Sequence, residues 1–206
     1  MPCTRLGLLG GSFDPPHLGH VQLARDACAA LGLDEIAFVI AGDPWQKRDR
    51  RLAAAEHRLA MLKLTLSAFD LARIETCELD RDGATYTIDT LETLQARRPG
   101  VQLVWVLGSD QHERLHTWHR HDELTRFADL AVACRDGARS AAIDALPDAG
   151  RLPARCASAA APGLQVRFVM QAHPASSTAI RADARACAHW LAPGVLPYIE
   201  THGLYP

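Results

Sequence analysis

The chain has 206 residues, of which 48% are hydrophobic, and a formal net charge of −2 at pH 7. This length is sufficient for one domain with a sizeable buried core. The nearly balanced charge argues against a basic surface that binds a nucleic-acid polymer, whereas a small anionic substrate in a local positive pocket is compatible with it.

Short apolar runs alternate with amphipathic segments along the chain. Strands are predicted at 5–9, 35–41, 72–79, 102–107, 130–134 and 166–169, and helices at 18–31, 53–69, 87–97, 121–127 and 178–190. This alternation is typical of an α/β fold with a doubly wound, mostly parallel sheet and helices on both faces. Such sheets bind ligands at the carboxyl ends of their strands, near a switch in strand order.

One segment, at about 137–163, breaks this pattern. It is rich in alanine with scattered proline, glycine and aspartate, and it predicts a surface excursion containing at most a short helix. Because it is too short to form a second domain, the sequence predicts a single domain over 1–206.

The first predicted strand leads into the sequence GGSFDPPHLGH at 10–20, which predicts a strand, a glycine turn and a helix start. Pro16 could occupy the first helical position, where its missing N–H has no cost. Helix N-termini attract phosphate, and His17 and His20 would lie on one helix face with Gly19 leaving room for a ligand. As an isolated pair they could also be surface histidines or two zinc ligands, but no third ligand is evident and no metal site is predicted. The segment as a whole favours a site for a nucleoside triphosphate.

Three later segments place polar residues at strand ends or helix starts. They are TYTIDTL at 85–91, GSD at 108–110 and ASSTAIR at 175–181. Ordinary N-capping would explain each of them, with Thr85 or Thr87, Asp110 and the hydroxyls of 176–178 as the caps. A purely structural interpretation is also available for two other features. Trp118 would then be a core residue, and the charged side chains at 47–51 would belong to a solvated loop.

Taken together, these segments resemble the nucleotidylyltransferase superfamily and, within it, bacterial nicotinate-nucleotide adenylyltransferase. Residues 10–20 are similar to GG(S/T)FDPxHxGH, 85–91 to SYTxDTL, 175–181 to ISSTxIR with Ala175 in place of isoleucine, and 195–205 to VxxYIxx(H/N)xLY. The likeness covers almost the whole chain outside 137–163. It implies a Rossmann-like fold and an adenylyltransferase of NAD biosynthesis, which joins ATP and nicotinate mononucleotide to give nicotinate adenine dinucleotide and pyrophosphate.

The resemblance also implies roles for individual residues. His17 and His20 are expected to contact the ATP phosphates and to be catalytic. Further ATP-binding residues are expected at Gly10, Gly11, Ser12, Phe13, Gly108, Asp110, Ser177, Thr178 and Arg181. The mononucleotide is expected to meet Lys47 through its phosphate, main-chain donors near Thr87 through its carboxylate, and Trp118 through its pyridine ring.

Two further expectations concern a metal ion and two positions at which the chain departs from the family. Mg²⁺ is expected to arrive with ATP, because few carboxylates converge on the predicted site. Trp45 and Gln46 stand where relatives carry a proline and a histidine, so position 46 receives no role.

Alternatives stay open for the function. The acceptor could instead be nicotinamide mononucleotide or phosphopantetheine, and a non-catalytic ATP sensor would need a similar site. Six scattered cysteines fit thiols in a reducing compartment, and no signal peptide or bilayer-length apolar run is evident. A cytoplasmic protein is therefore expected, with its oligomeric state left open.

Overall fold

A computed structural model of the chain describes residues 4–44, 52–135, 140–153 and 163–206. Its main sheet has six strands, all of them parallel. Its strands are β1 (Arg5–Gly11), β2 (Glu35–Ile40), β4 (Ala72–Glu75), β6 (Gln102–Gly108), β7 (Asp129–Arg135) and β8 (Gln165–Met170), and a separate parallel pair joins β3 (Asp43–Pro44) to β5 (Ala84–Thr85). The order in the main sheet is β4-β2-β1-β6-β7-β8. The chain thus winds outward from β1 and returns beside it at β6, so the switch in strand order lies between β1 and β6.

Helices connect these strands. The α-helices are α1 (Leu18–Leu31), α2 (Ala55–Leu66), α3 (Thr87–Arg97), α4 (Ser109–Glu113), α5 (Ala141–Asp144), α6 (Ser177–Ala182) and α7 (Val195–Thr201). Short 3-10 helices lie at Leu115–Thr117, His121–Arg126, Ala149–Arg151 and Ala188–Trp190. None of the helices in the described ranges is long and apolar enough to cross a membrane.

Both faces of the main sheet are covered, as the alternating pattern predicts. Leu6 and Leu8 of β1 pack into a cluster that includes Ile88 and Leu91 of α3, whereas Leu9 packs on the opposite face with α1. Because successive strand side chains point to opposite faces, one strand supplies both cores. A third cluster joins α2, α6 and α7 through Met61, Ile180 and Val195, among others.

The helix predicted at 178–190 is shorter in the structure. It ends at Ala182, because Asp183 adopts an extended conformation (φ −157°, ψ 94°). The Asp183 carboxylate accepts the N–H of Ala186 at 2.9 Å and so begins a new turn. Aspartate competes with helix in this way, and the periodicity of the neighbouring alanines did not reveal it.

Other boundaries differ by smaller amounts. The helix at 121–127 is 3-10, and the strand predicted at 72–79 ends at Glu75. Pro16 does not occupy the first helical position, since α1 begins at Leu18 with His17 as its extended N-cap (φ −149°, ψ 168°).

The described part of the excursion, 140–153, is mostly exposed but fixed at three points. Ile143 joins the α3 side of the core, and Ala149 and Leu152 join the α1 side. Arg5 and Arg167 add hydrogen bonds from their guanidinium groups to the carbonyls of Leu152 and Leu146, at 2.9 and 3.0 Å. The segment therefore lies along the sheet and contains the short helix α5.

Candidate active site

A cleft of about 860 Å³ opens at the carboxyl ends of β1 and β6, where the strand order switches. This volume falls within the range of small-molecule sites. From the first predicted segment it is lined by Gly10, Gly11, Ser12, Phe13, His17, Gly19 and His20, and from later segments by Thr87, Gly108, Asp110, Trp118 and Ser177. The structure thus brings together most of the residues that the sequence singled out.

Three predicted residues are not part of this lining. The Arg181 guanidinium donates to the Asp14 carbonyl at 2.6 Å and to Thr178 Oγ1 at 3.0 Å, and both Arg181 and Thr178 lie outside the cleft surface. Lys47, together with Trp45 and Gln46, lies outside the described residues.

His20 is held in one orientation by its neighbours. The His17 backbone N–H donates to Nδ1 of His20 at 3.1 Å, the two imidazole rings stack with centroids 3.7 Å apart, and Phe13 meets His20 edge-on at 5.2 Å. Because Nδ1 acts as the acceptor, the proton of a neutral ring resides on Nε2. The ring therefore offers an Nε2–H donor at the start of α1.

His17 is more deeply placed, with only 7% of its surface exposed. Its Nδ1 has no hydrogen-bond partner within the described ranges. Burial, reinforced by the nearby His173, lowers the pKa of His17 to about 4, so the ring is neutral at pH 7. A buried polar atom without a partner in a cleft is suited to a ligand.

Gly19 leaves little room for a side chain in this packing. A Cβ at position 19 would lie 3.0 Å from Nδ1 of His17 and 3.3 Å from Nδ1 of His173. Gly10 is confined in the same way, because a Cβ there would approach the Trp105 ring to 2.6 Å. Both glycines allow aromatic rings to pack directly on the backbone.

The loop after β1 and the start of α6 are bonded to each other. Ser177 Oγ donates to the Pro15 carbonyl at 2.9 Å, beside the bond from Arg181 to Asp14. Asp14 is itself only 1% exposed, and its Oδ1 accepts the Tyr205 hydroxyl at 2.6 Å and the Ala53 N–H at 3.2 Å. Two helix openings far apart in sequence therefore share one wall of the cleft.

N-capping does not account for the predicted polar segments. The N-cap residues of α3, α4 and α6 are Tyr86, Gly108 and Ser176, and none of them forms a side-chain capping bond. Asp110 instead lies in the first turn of α4, and Thr87 is the first residue of α3.

Trp118 is half-buried beside the core cluster on the α3 side and also lines the cleft. Its indole Nε1 is buried and has no hydrogen-bond partner in the part of the chain that the structure describes. Trp118 thus belongs to the core and to the site at once.

Among the cleft residues that were not predicted are three with ionisable side chains, namely Glu78, Arg135 and His173. Arg135 is the last residue of β7, and its position at the carboxyl end of a parallel strand was the available signal. Glu78 is 6% exposed and accepts the Thr90 hydroxyl at 2.8 Å, and burial raises the pKa of its carboxyl group. His173 lies in the loop after β8, where no pattern marked it.

The described residues contain no group of three or more His, Cys, Asp or Glu side chains arranged to hold a metal ion. The cleft lining offers imidazoles, hydroxyl groups and the guanidinium group of Arg135 to an anionic ligand.

Comparison with known proteins gives a consistent result. Residues 8–183 match the cytidylyltransferase-like family model. The chain is 40% identical over 206 residues to a probable nicotinate-nucleotide adenylyltransferase of Bordetella pertussis, with 100% of each chain covered. It is 39% identical to a probable nicotinate-nucleotide adenylyltransferase of Methylibium petroleiphilum, covering 99% of this chain and 93% of the relative.

The fold is shared with a solved structure, that of Plasmodium falciparum nicotinic acid mononucleotide adenylyltransferase complexed with NaAD. The TM-score is 0.71 at 20% identity, with 98% of this chain and 97% of that chain covered. The sheet is thus Rossmann-like, and by its sequence the chain belongs to the nicotinate-nucleotide adenylyltransferase family.

Proposed function

We propose that the chain transfers the adenylyl group of ATP to nicotinate mononucleotide, giving nicotinate adenine dinucleotide and pyrophosphate in NAD biosynthesis. The observation that carries this proposal is the cleft itself, where the loop that leads to His17 and His20 is bonded through Pro15 to Ser177 at the start of α6. Two such openings on one surface supply several donors for a polyphosphate. Family membership identifies the reaction class.

The reaction is an in-line displacement. An oxygen of the 5′-phosphate of the mononucleotide attacks the α-phosphorus of ATP, a new P–O bond forms, and the bond to the β-phosphate breaks to release pyrophosphate. The nucleophile is already ionised, so no strong base is needed, and catalysis consists of positioning and charge stabilisation. Mg²⁺ enters with ATP as part of the substrate.

The histidines would supply the donors that matter most. The Nε2–H of His20 and the buried imidazole of His17 would stabilise the charge that builds on the α- and β-phosphates. The rest of the ATP-binding surface would be formed by Gly10, Gly11, Ser12, Phe13, Gly108, Asp110 and Ser177. Thr178 and Arg181 would support this surface through the hydrogen bonds of the Arg181 guanidinium to Thr178 and to Asp14.

The mononucleotide would occupy the part of the cleft near Thr87 and Trp118. N–H groups at the start of α3 would meet the carboxylate of the nicotinate ring, which favours the acid over the neutral amide. Lys47 is proposed to meet its phosphate. Because both substrates are soluble nucleotides, the cytoplasm is the proposed compartment.

Pyrophosphate release tests the proposal directly. The protein with MgATP is expected to release pyrophosphate with nicotinate mononucleotide, and far more slowly with nicotinamide mononucleotide or phosphopantetheine. Faster release with either of those acceptors would reassign the substrate. ATP binding without release with any acceptor would identify a sensor.

The pyridine subsite has its own test. Trp118→Ala is expected to raise KM for the mononucleotide more than KM for ATP, because the indole would be lost as a stacking platform. Steady-state kinetics with each substrate varied in turn measure this. An equal rise in both constants would contradict the assignment of Trp118.

A further inference from the structure

His173 is a cleft residue that the family signatures do not include. It lies in the loop between β8 and α6, outside the segment 175–181, and its side chain lines the same cleft as His17 and His20. Its ring lies against the start of α1, because a Cβ on Gly19 would come within 3.3 Å of its Nδ1. His173 is also close enough to His17 to contribute to the lowered pKa of that ring.

The ring of His173 is fixed in the same manner as that of His20. Nδ1 of His173 accepts the backbone N–H of Ala175 at 3.1 Å, just as Nδ1 of His20 accepts the backbone N–H of His17 at 3.1 Å. In each case a backbone donor occupies Nδ1, and the neutral ring carries its proton on Nε2. Both rings therefore present an Nε2–H donor of defined tautomer, and both residues line the same cleft.

We propose that His173 is a third phosphate-binding histidine, whose Nε2–H donates to the triphosphate of ATP across the cleft from His20. This inference rests on the proposed function, because it assigns His173 to the ATP side of the same site. The loop that carries His173 leads into Ser177, and Ser177 is bonded to the loop of His17 through Pro15. The donor is thus fixed relative to the other two histidines before ATP binds, which limits the entropy lost on binding.

Two substitutions separate the donor from the loop anchor. In His173→Asn the amide can still accept the Ala175 N–H, but it cannot reach the position of Nε2. In His173→Gln the longer side chain can place an N–H near that position. His189→Ala is a matched control, because His189 is exposed, contacts Trp190 and does not line the cleft.

The measurements are KM for ATP and for the mononucleotide, and calorimetric Kd for a non-hydrolysable ATP analogue with Mg²⁺. His173→Ala and His173→Asn are expected to raise KM for ATP and Kd for the analogue about tenfold, the loss expected for one phosphate hydrogen bond. KM for the mononucleotide should be unchanged in both variants, and the Tm of His173→Asn, which keeps the bond to Ala175, should match that of the parent protein. His173→Gln should recover most of the affinity, and His189→Ala should match the parent protein.

Two outcomes would overturn the inference. If His173→Asn binds the analogue as tightly as the parent protein, His173 only anchors its loop. If His173→Ala also leaves Kd unchanged, His173 has no part in the site. Failure of the proposed function would appear differently, as a parent protein that releases no pyrophosphate, and the Kd series would still test His173.

Discussion

His20 illustrates how much of this site is prepared at the level of one side chain. A backbone N–H, a stacked imidazole and the edge of Phe13 all restrain its ring. A donor that needs no rearrangement is most effective where charge develops in a transition state.

His20→Ala is therefore expected to lower kcat by about a hundred- to a thousand-fold, the usual cost of losing one such donor. Pyrophosphate release measures the rate, and circular dichroism with thermal unfolding checks that the variant is folded. A folded variant with full turnover would show that His20 is not catalytic.

His17 predicts a pH dependence of stability. Its folded-state pKa of about 4 lies below the unfolded value of 6.5, so between these values the unfolded chain binds more protons. This contribution to the free energy of unfolding is fully present above pH 6.5 and is lost as the pH falls through 4. The total loss is about 3 kcal/mol.

Urea unfolding of the parent and of His17→Gln between pH 7 and pH 4 measures this. The parent should lose more stability on acidification than the variant, because glutamine does not titrate. Parallel pH profiles for the two proteins would contradict the assignment.

At the scale of elements, the segment after α7 fastens the first loop of the site. Tyr205 has a positive φ of 55°, and its hydroxyl donates to the carboxylate of the buried Asp14. Burial, and to a smaller extent this hydrogen bond, raises the pKa of Tyr205. Arg58 of α2 supports the same loop, donating to the carbonyls of Ser12 and Ala41 at 2.9 and 2.8 Å. The residues that hold the loop thus come from both α2 and the segment after α7.

Tyr205→Phe is expected to reduce the free energy of unfolding by about 1–3 kcal/mol, because a buried carboxylate loses a donor. It should also lower the rate of pyrophosphate release, since Asp14 belongs to the loop that carries the histidines. Tyr198→Phe is the control, because that hydroxyl meets the half-buried His57 at 3.0 Å, where water can replace it. A larger loss for Tyr198→Phe than for Tyr205→Phe would contradict this account.

The elements also show what the sequence could and could not predict. Helix α1 has the predicted bounds because Pro16 precedes it and Gly32, at φ 60°, ends it. The pairing of β3 with β5 is only two residues long and depends on contacts distant in sequence, so no local pattern marked it. His173 was missed for the same reason, because its loop reaches the cleft only through the order of the strands. Arg135 differs, since its position at the end of β7 was a usable signal.

At the scale of the whole molecule, one sheet supplies both core faces, which predicts a single domain and a single cooperative unfolding transition. Fluorescence reports on Trp105 in the sheet and on Trp190 in the cluster with α7, while circular dichroism reports on the helices. The transitions measured by the two methods should coincide. ATP at a hundred times its Kd should raise the free energy of unfolding by about 2.7 kcal/mol. Separate transitions would divide the chain into two folding units.

The bonds from Ser177 to Pro15 and from Tyr205 to Asp14 join positions 162 and 191 residues apart. During synthesis on the ribosome, the segment that carries the first two histidines emerges long before the segments that brace it. Contacts of such long range form late and slow the folding of a chain. A nascent polypeptide therefore lacks both bonds until residues 177 and 205 have been added. A product that stops between residues 170 and 177 would contain all the strands of the main sheet, but its loop at Asp14 and Pro15 would have neither of these partners.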